Sequence, residues 1–140
     1  HPAVVAAINR IVAAAGQLAA SVQVPFLSLC DASMGYHLLA CLRLLEAAHV
    51  PELLRTGPVY VREIAAHTDV TSVLTRRCTA AHILRLLATH HLLREAAPDV
   101  FATNRITALL DTGKPLPTLV AHPERKYEDD TSGVAAFMGL

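Results

Sequence analysis

VYVREIAAHTDVTSVLTRRCTAAHILRLLATHHLLREAAPDVFATN, residues 59–104, is the stretch whose reading decides the fold. A short extended run, Val59-Tyr60-Val61, follows the Gly57-Pro58 breaker and leads into a helical turn or two around Glu63 to His67. Thr68 and Asp69 make a turn, and a longer helix then runs to about His90-His91. Leu92 to Glu95 and Val100 to Ala102 are two β-prone runs joined by Pro98-Asp99, which predicts a hairpin. Helix, turn, helix and a two-stranded wing is the winged-helix plan. The predicted fold class is mainly α, winged-helix-like, with a small two- to three-stranded wing and extra N-terminal helices.

Those extra helices come first in the chain. Pro2 suits a first helical turn, and Val4, Ile8, Ile11, Ala15, Leu18 and Val22 recur at spacings of four and three. Val5 and Val12 widen the stripe, while Arg10, Gln17 and Ser21 keep the other side polar. Val24-Pro25 breaks this helix. A second runs from Leu27 or Ala32 to His49, loosened near Gly35, with Leu38, Leu39, Leu42, Leu45 and Ala48 inward and Arg43 and Glu46 outward. Pro51 opens a short turn of helix that Gly57-Pro58 stops.

Beyond the wing, Ile106 to Leu110 reads as a short helix, and Pro115 and Pro117 forbid its continuation. Residues 115–130 read as an exposed connector ending in the charged run Glu124 to Asp130. Thr131 or Ser132 would cap a last helix, Gly133 to Met138. The expected divisions are 1–26, an N-terminal dimerisation helix; 27–114, the winged-helix-like domain; and 115–140, a connector and the start of a truncated helix. That last helix reads as cut short, which predicts either part of something longer or a stand-alone protein.

Composition narrows the function. In 140 residues, 53% are apolar but only 4% aromatic, which suits a packed helical domain with part of its surface covered by a partner. Twelve basic and twelve acidic residues cancel, so no overall field favours a polyanion. Cys30, Cys41 and Cys78 lack paired spacing, which points to reduced thiols and a cytoplasmic setting. Polar breaks in the apolar runs predict no membrane-spanning helix, and no signal peptide is visible.

Motifs for chemistry are few. The six glycines are too far apart for a phosphate-cradling loop, and there is no nucleophile elbow. His37 with Cys41, and Cys78 with His82, stand four apart on a helix, but two ligands do not make a zinc site. His90-His91 at a helix end is placed to meet orphan carbonyls. Arg76, Arg77, His82, Arg85 and Arg94 offer little to a duplex, because Ile83, Leu84, Leu86 and Leu87 crowd the same helix.

The run Ala48-His49-Val50-Pro51-Glu52-Leu53-Leu54, through Gly57-Pro58 to Val61-Arg62-Glu63-Ile64-Ala65, resembles the N-terminal dimerisation domain of plant and fungal S-adenosylmethionine-dependent O-methyltransferases. Ile83 to Glu95 is similar to the second helix and first wing strand of that family, and Val100 to Ile106 to its second strand. Asp111 to Lys114 and Lys126-Tyr127 resemble fungal members. Asp69 to Ala81 is longer than usual for the family, and Ala80 and His82 depart from its pattern. The resemblance, which covers about Ala32 to the C-terminus, implies an interlocked homodimer, and the apolar stripes of the first two helices put Val4, Ile8, Ile11, Leu18, Val22, Leu38 and Leu42 at its interface. The resemblance also implies a wall for a hydrophobic acceptor-substrate pocket, expected from Phe26, Leu29, Met34, Phe137 and Met138. The family's S-adenosylmethionine site and catalytic base would lie beyond residue 140, so no catalytic, cofactor-binding or metal-binding residue carries over. The expected partners are a second copy and a hydrophobic small molecule, not nucleic acid or membrane. The alternatives are a stand-alone dimer binding a hydrophobic molecule or partner protein, and a DNA-binding regulator.

Overall fold

A computed structural model describes residues 1–67, 77–128 and 134, with backbone alone at 77 and 78. The expected turn at Thr68-Asp69, Arg76, the side chains of Arg77 and Cys78, the cap at Thr131 or Ser132, the last helix, Phe137 and Met138 lie outside the described residues. The chain divides into two compact units, 1–36 and 37–140.

The first unit holds α1 (Pro2–Val22) and the beginning of α2 (Pro25–Ala47). Pro2 opens α1, and the helix stops at Gln23, whose backbone turns extended. Val24 then accepts the Leu27 and Ser28 N–H groups at 2.9 and 3.2 Å, so Pro25 begins α2 at the position where its missing donor costs nothing. The Gln23 amide donates to Asp31 Oδ2 at 2.6 Å across this corner. No residue of α1 is buried. By length and composition alone α1 could cross a membrane, since Asn9, Arg10 and Gln17 interrupt the apolar run without making it polar overall. The expectation that no helix meets that test is corrected here. Gly35 does not loosen α2, which runs unbroken; one glycine costs a helix only about 1 kcal/mol.

The second unit carries the core. Cys41 and Leu45 of α2 meet Val50 and Leu54 around the short α3 (Val50–Leu53), and a 3₁₀ turn, Leu54–Thr56, ends at Gly57. Gly57 has φ 138°, a conformation that other residues rarely adopt. β1 (Val59–Tyr60) is shorter than expected, because Val61 already belongs to α4 (Val61–His67). Val61, Ile64 and Ala65 of α4 pack on Ala80, Ala81, Leu84 and Leu87 of α5 (Arg77–Thr89), the inward stripe its periodicity requires.

α5 ends in a Schellman arrangement. His91 takes φ 58°, its N–H reaches Ala88 O at 3.0 Å, and Leu92 N–H reaches Leu87 O at 2.9 Å. Backbone donors thus take these orphan carbonyls, in place of the expected imidazoles. β2 (Arg94–Ala97) and β3 (Val100–Ala102) form the hairpin around Pro98-Asp99, with Asp99 at φ 63°. The antiparallel sheet has order β1-β3-β2, pairing Val59 with Phe101 and Glu95 with Phe101, with a bulge between Glu95 and Ala97. Phe101 is fully buried beneath the wing.

Residues 115–128 are mostly exposed, as expected, but carry more structure than a plain connector. They form α6 (Leu116–Ala121) and a 3₁₀ turn, Pro123–Tyr127, that bury Leu119 and Lys126. Ahead of them the Arg55 guanidinium grips Asp111 through two bonds, at 2.5 and 2.8 Å, and also donates to the carbonyls of Gly113 and Lys114.

Candidate functional site

Val4, Ile8, Ile11, Leu18 and Val22 share one side of α1, since spacings of three and four keep them within about a quarter-turn of one another. With Val5 and Val12 they are 52–78% exposed, so a continuous apolar stripe faces outward within this unit. Leu38 and Leu42 stand one turn apart in the other unit, partly buried against its core. Phe26, Leu29 and Met34 are exposed in the first part of α2, with Leu29 and Met34 about 60° and 80° to either side of Phe26 around the helix.

The second concentration of chemistry escaped the sequence reading. Glu46, His49, Glu52, Thr112 and Lys126 are all buried, and Tyr127 joins them from the rim. Lys126 Nζ lies 2.9 Å from Glu46 Oε1, 3.9 Å from Glu52 Oε1 and 3.1 Å from His49 Nδ1, and it also donates to the Glu46 carbonyl. That carbonyl belongs to the last turn of α2, where the helix dipole favours a cation. The Tyr127 hydroxyl donates to Glu46 Oε1 at 3.0 Å, and Thr112 Oγ1 donates to Glu52 Oε1 at 3.0 Å. Glu52 Oε2 is buried without a partner.

Burial pushes the His49 imidazole below its ordinary value, and the Lys126 ammonium adds to that; Glu52 and Glu46 oppose it. Burial raises the Tyr127 phenol to about 12, with the charge of Glu46 acting the same way. His49 reaches its place through φ 54°, an αL residue ending α2 and leading into α3. Beside it a mostly apolar hollow of about 280 Å³ is lined by Ala47, His49, Val120, Pro123 and Lys126 among others. Glu46 was expected outward, and Lys126 within an exposed charge run; both are corrected. The signal available was the spacing Glu46, His49, Glu52, but it crosses from α2 to α3 and needs a lysine 80 residues away.

Other candidates recede. His37 and Cys41 remain two ligands on α2, burial pushes the Cys41 thiol up and away from the metal-binding thiolate, and among the described residues no cluster of three metal ligands occurs. Arg85 of α5 faces Glu95 at 3.2 Å and Asp99 at 2.5 Å, so its charge is answered by the wing. Arg62 lies over the Tyr60 ring, 4.9 Å from its centre.

No family model matches the chain. It is 41% identical over 139 residues to an O-methyltransferase of Armillaria gallica, a match covering 96% of this chain and 28% of the relative. It is 36% identical over 138 residues to 4-O-methyltransferase 1 of Phanerochaete chrysosporium, again over 96% of this chain and 28% of the relative. The chain therefore spans under a third of the length of these curated relatives. Among solved structures, a complex of LepI with SAM superposes with TM-score 0.65 at 18% identity, over 96% of this chain and 39% of that one. The mitomycin 7-O-methyltransferase superposes with TM-score 0.55 at 21% identity, over 90% and 44%. At such identities these two structures show the shared fold.

Proposed function

Since the chain is related over 96% of its length to fungal O-methyltransferases, we propose that it is the non-catalytic homodimerisation module of such a protein. The observation that carries this reading is α1, a 21-residue helix with an apolar stripe and no buried residue. Stripes of that size on globular proteins mark partner surfaces. A two-fold exchange of N-terminal helices covers both copies at once, and an obligate interface of this kind exceeds about 2,000 Å². Arg10 at mid-helix favours a protein partner over the bilayer core. The carboxylates around Arg85 speak against a phosphate-binding role for the described part of α5.

In the whole protein the module also walls a hydrophobic acceptor pocket, to which the exposed Phe26, Leu29 and Met34 of α2 contribute. Methyl transfer from S-adenosylmethionine belongs to the remainder of such a protein. The glycines of this chain are scattered singly, the residues present do not fit that cofactor, and no step of the reaction is assigned to them. Sedimentation or light scattering, with melting followed on dilution, tests the reading. A dimeric mass and a melting point that rises with concentration are expected. A monomer at micromolar concentration with a concentration-independent melting point overturns it.

A further inference from the structure

His49 and Lys126 make a contact whose chemistry depends on one proton. Lys126 Nζ can only donate, so at 3.1 Å His49 Nδ1 must accept, which requires an unprotonated nitrogen. Both residues are buried, at 5% and 1% exposure, in the wall of the hollow beside α6. We infer that His49 and Lys126 form a proton-sensitive latch that holds residues 115–128 on the α2–α3 corner and lets them go when the imidazole is protonated.

Among the described residues the groups around His49 come from each neighbouring element: Glu46 from α2, Glu52 from α3, and Lys126, Glu124 and Tyr127 from the Pro123–Tyr127 turn; α6 adds the apolar Val120. The two buried glutamates attract an imidazolium, while burial and the adjacent ammonium disfavour it, and the net displacement is downward. The direction of linkage follows. A histidine neutral in the latched state but ordinary once released gives stability that is complete above its ordinary value near 6.5 and lost as pH falls below it. Each unit of pH inside that window raises the opening constant about tenfold. The latched segment is cemented at one end by Lys126 and Tyr127 on Glu46, and at the other by Arg55 on Asp111, Gly113 and Lys114. Opening at the first anchor therefore loosens the turn from the α2–α3 corner, while Arg55 and the Lys114 bonds to the Arg125 and Glu128 carbonyls keep the segment tethered. The inference does not depend on dimerisation.

Hydrogen exchange of the whole chain, corrected for intrinsic rates, tests it between pH 7.5 and 5.5. Amides of 116–128 should lose up to about tenfold in protection relative to the wing at 94–102. His49→Asn should abolish that pH response, because asparagine tolerates the αL backbone and its carbonyl oxygen accepts from Lys126 without titrating. Unchanged protection of 116–128 in the unsubstituted chain, or an undiminished response in His49→Asn, overturns the latch. Should His49→Asn fold poorly, an NMR titration of the unsubstituted chain decides: the Tyr127 ring resonances should move with the His49 titration, and independent movement overturns it.

Discussion

Lys126 shows how far one side chain can govern its surroundings. Its ammonium is the buried positive charge closest to Glu46 and Glu52 among the described residues, so replacing it with methionine leaves two carboxylates facing each other in a dry site. Breaking a buried pair from one side costs about 3–5 kcal/mol. Urea unfolding of Lys126→Met should register a loss of that order; an unchanged midpoint would show that the cluster is hydrated. Tyr127 makes a subtler contribution. Its phenol is raised to about 12 in the folded chain, above its ordinary 10, so the neutral form is the one folding favours. The stability it adds is in place below pH 10 and lost as pH rises from there towards 12. The unsubstituted chain should therefore be more stable than Tyr127→Phe at pH 8, and the gap should close across that window. A gap that persists to pH 12 would mean the hydroxyl bond to Glu46 is not what separates them.

At the scale of elements, the faces of α4 and α5 can be checked by one substitution. Leu84 is 1% exposed, among Ile64, Leu87 and the residues beneath the wing. Leu84→Asp buries an unpaired carboxylate, a cost of several kcal/mol that approaches the whole stability of a domain this size. Circular dichroism of that variant should show a collapsed melting temperature, and an unaltered one would mean that the inward face is misassigned. The α5 stripe and the Pro98-Asp99 hairpin were legible in the sequence because both are local: periodicity fixes one and turn chemistry the other. The ends of elements were less so. Val61 joins α4 instead of lengthening β1 because its burial in the core overrides a weak local preference, and α2 runs through Gly35 because one glycine costs a helix only about 1 kcal/mol. Residues 115–128 were read as a connector for the same reason in reverse. Their prolines and charges are local signals of exposure, whereas the burial of Leu119 and Lys126 depends on partners elsewhere in the chain.

For the molecule as a whole, the N-terminal stripe was readable, and on the proposed reading its consequence is an assembly that folds as it associates. Paired Ile8→Glu and Ile11→Glu changes put two charges on a stripe that is exposed in the single chain and that the proposed dimer covers. They should lower the apparent mass in light scattering, and the melting point should lose its dependence on concentration. Retention of the dimer would move the interface off α1. Oppositely, the site at Glu46 was illegible at this scale too, because neutral net charge conceals two glutamates and one lysine gathered in one dry place.

Lysine is scarce in this chain, at positions 114 and 126 alone, and both amines are engaged, one by the carbonyls of the Pro123–Tyr127 turn and its end, the other by Glu46 and His49. Lys114 donates to the carbonyls of Arg125 and Glu128, while Lys126 is inside. Reagents that acylate or cross-link amines thus find neither ε-amine readily available at neutral pH. Their slow reaction at Lys126 becomes a stopwatch for the opening of the turn, read out by mass spectrometry without any substitution at all.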